Sequence, residues 1–210
     1  MVLSLQDNIT TLYGKRDDAK IADPADKTRV FAWLICESHD DKGNAILCKY
    51  KPEDDANIDR AAPYERNRLI AKQFPQRYLK NIRYGNRTQR KAGEDLASRD
   101  DWLFEVVFDY GEHDEAAPTT TEERDRAWPV RQDPFSLFRS TFDVRTYRLC
   151  RRVLMFHHFP DELGGTADYL VRSTDFEYKP SSVVASITQA GYVRRDRSYN
   201  RRALPKLEFK

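Results

Sequence analysis

Residues 102–110 read WLFEVVFDY and run into a Gly-Glu turn at 111–112. Trp102, Phe104, Val106, Phe108 and Tyr110 occupy every second position, with Leu103, Glu105, Val107 and Asp109 between them. A helix would scatter those five bulky residues around its circumference, whereas a pleated strand gathers them on one side. The expectation is a strand whose aromatic row packs inward, each large side chain contributing about 1.5–3 kcal/mol on burial.

The same reading extends in both directions. Residues 29–36 (RVFAWLIC) form a nearly continuous apolar run of β-formers, expected as a strand covered on both faces. The polar HDDKGN turn, with Gly43-Asn44 at its tip, joins it to residues 45–51 (AILCKYK) as a hairpin. Residues 78–84, 146–156, 169–178, 183–193 and 204–209 read as further strands, punctuated by Gly85-Asn86, Gly164-Gly165 and Pro180-Ser181-Ser182. Three strands end in Tyr-Gly, at 13–14, 84–85 and 110–111, where tyrosine closes the packed face and glycine admits the positive φ of a turn. Short strands separated by turn residues predict a mainly β fold, an antiparallel meander of hairpins. Residues 63–74 (PYERNRLIAKQF) are expected as one short helix, with Pro63 in its first turn and Pro75 beyond its end. Residues 112–128 and 87–100 read as long, exposed polar loops.

Composition narrows the function. The 210 residues carry 36 Lys+Arg against 34 Asp+Glu, a balance unlike that of a nucleic-acid coat. Eleven Phe, eleven Tyr and three Trp supply core material that disordered chains lack. No apolar run has membrane-spanning length, and MVLSLQDNITT has no signal-peptide pattern. Charge is uneven: residues 139–210 hold 14 basic and 8 acidic residues, leaving the remainder net acidic. Within that basic third, Arg194, Arg195, Arg197, Arg201 and Arg202 interleave with Tyr192 and Tyr199, a patch suited to an acidic partner.

Reactive constellations are sparse. Cys36, Cys48 and Cys150 follow no zinc spacing and read as small buried hydrophobes. His157-His158 with Asp161 and Glu162 is the densest set of ligand-type residues, but neighbours on a strand point to opposite faces. Cys150 with His157 is the one nucleophile-base pair to weigh, and its YRLCRRVLMF setting favours burial over reactivity. The acidic pairs Asp54-Asp55 and Glu122-Glu123 read as solvated loop residues. Neither a phosphate-binding glycine loop nor a GxSxG elbow is present. The expectation is a chain that is not an enzyme, with no metal and no cofactor.

Several long strings resemble a known family: DNITTLYG (7–14), RVFAWLICESHDDKGNAI (29–46), RYLKNIRYGNR (77–87), WLFEVVFDYGEHD (102–114), WPVRQDPFSLFRSTFDVRTYRLCRRVLMFHHF (128–159), YLVRSTDFEY (169–178) and ALPKLEF (203–209). They are similar to the SpvB domain, the N-terminal module of a Salmonella virulence-plasmid protein and of the B components of insecticidal Tc toxin complexes. The resemblance implies a β-shell of Rhs-like strips enclosing a cytotoxic cargo, and the Tyr-Gly strand ends are similar to the strand pairs of such shells. Where the family carries ADP-ribosylating activity it belongs to a separate C-terminal domain, and the Glu-x-Glu dyad of that chemistry is absent here. Against full-length members the chain reads as a single partial domain over residues 1–210, truncated at both ends.

These readings make the chain structural: a wall segment, part of a β-shell, that contributes to enclosing a cargo. Its partners would be the rest of the toxin B component, the C component and that cargo, with no nucleic acid and no membrane insertion. Its location would be the bacterial cytoplasm, then the extracellular region within a toxin complex. The expected core is Trp33, Trp102, Phe104, Phe108, Trp128, Phe156 and Tyr178. The alternative reading is a binding module that docks an acidic protein or glycan through Arg194, Arg195 and Arg201.

Overall fold

The computed structural model describes residues 2–6, 8–68, 74–122, 126–163, 167–195 and 198–210. Fifteen strands occur among them: β1 (Val2–Gln6), β2 (Ile9–Tyr13), β3 (Lys20–Ala22), β4 (Val30–Trp33), β5 (Ile35–His39), β6 (Ala45–Pro52), β7 (Arg77–Asn86), β8 (Trp102–Asp109), β9 (Phe135–Leu137), β10 (Val144–Thr146), β11 (Arg152–His157), β12 (Tyr169–Tyr178), β13 (Val184–Arg195), β14 (Ser198–Ala203) and β15 (Leu207–Glu208). Eleven of them form one antiparallel sheet in the order β1-β2-β5-β6-β7-β8-β11-β12-β13-β14, with β15 also on β13. β3-β4 and β9-β10 are separate two-stranded ribbons. The expected antiparallel meander is present, and β8 sits near its middle.

The aromatic row of β8 lies on the less buried face. Glu105, Val107 and Asp109 are buried, while Phe104, Val106 and Phe108 are half-buried. The reason is charge pairing that spacing within one strand does not reveal. Arg83 of β7 lies 3.1 Å from Glu105, and Arg152 of β11 lies 2.6 Å from Asp109. With their charges matched, these carboxylates line the covered face beside Val107, Leu154, Phe156, Leu170, Ala190 and Tyr192, which form one core cluster. Trp102, at the strand start, packs instead with Ala45, Leu47 and Leu96, and its indole N–H donates to the Arg99 carbonyl.

Four other expectations change. The 29–36 run is broken at Leu34, whose N–H donates to Ala19 and whose carbonyl accepts from Gly14, so β4 and β5 enter different sheets. Trp33 is consequently 43% exposed rather than core. The 63–74 segment is a 3-10 turn over Pro63–Arg68, and residues 69–73 lie outside the described residues. The 146–156 strand divides into β10 and β11. The 204–209 strand shrinks to β15, while the preceding arginine-rich stretch supplies β14.

The segment expected as an exposed loop over 112–128 is anchored at both ends. Glu112, His113 and Trp128 are buried, Trp128 in a cluster with Tyr78 and Tyr110. Phe156 is buried as expected and Tyr178 half-buried. At the Tyr-Gly corners the glycines have positive φ, and a Cβ at Gly85 would stand 2.6 Å from the Phe104 ring. That ring fills the space a side chain would take. The Gly164-Gly165 turn lies outside the described residues.

Candidate functional site

Strand register places ten side chains on one face across four adjacent strands. These are Ile46 and Cys48 of β6, Ile82 and Tyr84 of β7, Phe104, Val106 and Phe108 of β8, and Val153, Met155 and His157 of β11. Ile46 faces Tyr84, Tyr84 faces Phe104, and Phe104 faces His157. Tyr84 and Phe104 stack with centroids 5.1 Å apart, and His157 and Phe159 meet Phe104 edge-on at 5.1 and 5.5 Å. Burial, then the neighbouring His158, pushes the His157 pKa down, which suits a neutral ring in an aromatic stack. Cys48 is buried and Phe108 packs against the Tyr78–Tyr110–Trp128 cluster, so the accessible part of this apolar surface centres on Ile46, Tyr84, Phe104 and His157, backed by a buried, ion-paired face.

The adjacent imidazole points the other way, as period two requires. His158 Nδ1 lies 3.0 Å from Asp168 and 2.9 Å from the Ala167 carbonyl, and Nε2 lies 3.5 Å from Glu105. Burial opposes its charge, but the bonds to Asp168, Glu105 and Ala167 outweigh that and raise its pKa to about 9. A cavity of about 350 Å³ adjoins it, lined also by Arg83, Arg87, Asp100 and Thr120. Asp161 and Glu162 form no ion pair with either ring. Among the described residues no group of three or more His, Cys, Asp or Glu side chains is arranged to hold a metal ion.

Burial pushes the Cys150 thiol up to about 12, and its Sγ donates to the Arg152 carbonyl at 3.4 Å, so thiolate chemistry with His157 has no support. Desolvation likewise raises Cys48 to about 11. In the arginine patch, Arg201 is tied to Asp175 at 2.7 Å and Arg194 lies 6.0 Å from the Tyr199 ring. Arg195 is exposed, and Arg197 lies outside the described residues. Of the acidic pairs, Asp54 accepts from the Trp128 indole at 2.6 Å and Glu122 pairs with Lys51 at 2.5 Å, while Glu123 is outside the described residues.

Sequence reading missed the buried polar network under the 112–128 segment. Lys80 Nζ donates to Glu112 Oε1 at 2.5 Å, to His113 Nε2 at 2.7 Å and to the Phe108 carbonyl at 3.2 Å. Arg148 and Glu53, both fully buried, form a close ion pair, and Tyr78 donates to Glu53 at 3.1 Å. Arg148 also lies over the Trp128 ring at 4.4 Å. The available signal was the charged residue at alternate positions of otherwise apolar strands, which spacing alone cannot pair with a partner dozens of residues away.

A sequence model described as SpvB, Salmonella virulence plasmid 65kDa B protein, matches residues 2–159. Curated relatives in Salmonella typhimurium (strain 14028s / SGSC 2262) and Salmonella dublin, both named mono(ADP-ribosyl)transferase SpvB, are 37% identical over 188 residues, covering 87% of this chain. The chain spans 31% and 30% of their respective lengths. The expectation of a chain that is not an enzyme is thereby corrected: its curated relatives are named transferases, and their names describe proteins about three times as long. Among solved structures, the N-terminal domain of effector protein SpvB from Salmonella typhimurium strain LT2 superposes with a TM-score of 0.73 at 34% identity, covering 99% of this chain and 61% of that one. The TcdB2-TccC3 complex superposes with a TM-score of 0.83 at 32% identity, covering 97% of this chain and 10% of that one. With three quarters of its length matched by the family's sequence model and nearly all of it by the family's fold, the chain belongs to the SpvB family, that of the Salmonella virulence plasmid 65kDa B protein.

Proposed function

We propose that this structural domain of a toxin component serves as casing: one segment of a β-wall that encloses a cargo polypeptide. The observation that carries the reading is the division of the sheet into two unlike faces. One is sealed by buried ion pairs and the Val107–Leu154–Phe156 core. The other presents the register-aligned aromatic and aliphatic row from Ile46 to His157. A single-layer wall needs that asymmetry, because one surface must hold the sheet rigid while the other lines the enclosed space. The match to the TcdB2-TccC3 complex supports the reading. The partners would be the remainder of the B component, the C component and its cargo, met in the cytoplasm and carried outside the cell as a complex.

The test is co-assembly with those parts followed by proteolysis of the cargo. Val106→Asp and Met155→Asp, on the half-buried face, should leave the domain folded by circular dichroism but weaken cargo protection. Protection equal to that of the unaltered chain would overturn the casing role.

A further inference from the structure

A second concavity has a volume of about 520 Å³, within the range of ligand and peptide sites. One wall is residues 129–132, the other the turn at Pro180–Ser182, and the floor includes Leu149, Phe176 and Tyr178. The two rings lie 6.4 Å apart at 34°, and Tyr178 is fixed by donating to the Cys150 carbonyl at 2.5 Å. The floor is therefore preformed.

Its charges are unbalanced. Arg131 is paired with Asp133, and Glu177 is engaged by Ser186 and Lys206. Arg151 is exposed and meets no carboxylate among the described residues, and the Lys179 ammonium donates to the neutral Phe209 carbonyl. Two cations thus flank an apolar floor without counter-charge. The rim is also strained: Ser181 and Ser182 hold φ of 69° and 55°, a left-handed pair without glycine, costing roughly 1–2 kcal/mol per residue. The Ser182 hydroxyl bonded to Asp133 keeps them there. Strain of this kind persists where the surroundings over-determine it, which is common at ligand clamps.

We propose that this groove docks an extended acidic segment of a partner protein. An apolar side chain would rest on Phe176 and Tyr178, with carboxylates meeting Arg151 and Lys179. Aromatic and arginine side chains together are the usual anchors of protein interfaces. A nucleic acid would need a longer cationic track than two uncompensated charges provide.

The test is fluorescence anisotropy of the full chain with a fluorescein-labelled, glutamate-rich peptide bearing one central phenylalanine. Saturable binding that weakens with salt is expected, and Arg151→Glu and Lys179→Glu should each weaken it about tenfold or more. Arg195→Glu, outside the groove, should leave affinity unchanged, and serine for the peptide's phenylalanine should reduce it. The proposal is overturned by no binding, by equal binding of a lysine-for-glutamate peptide, by indifference to both groove variants, by equal loss in Arg195→Glu, or by tighter binding of a single-stranded oligonucleotide.

Discussion

His113 shows how one buried side chain can make stability depend on pH. Its Nδ1 faces the Thr119 carbonyl at 3.0 Å, which can only accept, so that nitrogen carries the proton and Nε2 accepts from Lys80. A second proton would face the Lys80 ammonium. Burial, then Lys80, lowers its pKa, against the opposing pull of Asp109, Glu112 and Glu122. Because the folded pKa lies below the unfolded one, the neutral ring's contribution is present above about pH 6.5 and lost as pH falls through and below that value. His158 has the opposite sign: its contribution is present below about pH 6.5 and lost as pH rises through about 9. Urea midpoints should therefore fall from pH 7 to pH 5 more steeply in the unaltered chain than in His113→Gln, whose amide can still donate and accept. Parallel pH profiles for the two would refute the assignment. Gly85→Ala should cost about 1–3 kcal/mol through its positive φ and the clash with Phe104, and Phe104→Ala in the same chain should recover part of that loss.

At the scale of the element, β8 separates what its sequence declares from what it hides. Period two in WLFEVVFDY declares a strand, and the Tyr110-Gly111 corner declares where it ends. Which face is buried was not legible, because that depends on Arg83 and Arg152 arriving from the two flanking strands to match Glu105 and Asp109. Trp33 was misread for a related reason: a bond from Leu34 to Ala19, fifteen residues back, ends β4 at Trp33 itself. The hairpins, by contrast, were legible because their partners adjoin in sequence. Val107→Asp should unfold the domain, since it places an unpaired charge at a fully buried position. Phe108→Asp, on the half-exposed row, should cost less. Leu154→Ala should lower the unfolding free energy by about 2–5 kcal/mol in chemical denaturation. Equal losses at positions 107 and 108 would refute the face assignment.

For the molecule as a whole, the open rim of the sheet matters. The outer edge of β14 pairs with no strand among the described residues, and Arg201 and Arg202 on it discourage another chain from adding there. Replacing Asn200 and Arg202 by valine, on the same side as exposed Val193, should produce concentration-dependent association visible by light scattering. An unchanged monomeric mass at all concentrations would show that charge at this rim is not protective. Strand order also has a kinetic consequence. From β1 to β14 every strand of the main sheet joins the side opened by its predecessor, and the two small ribbons fold aside without interrupting that march. No strand must wait for one made later. A nascent chain can therefore assemble in step with the ribosome, each newly emerged segment finding its template already in place, so that the protein is never long exposed as an unpaired, aggregation-prone polypeptide.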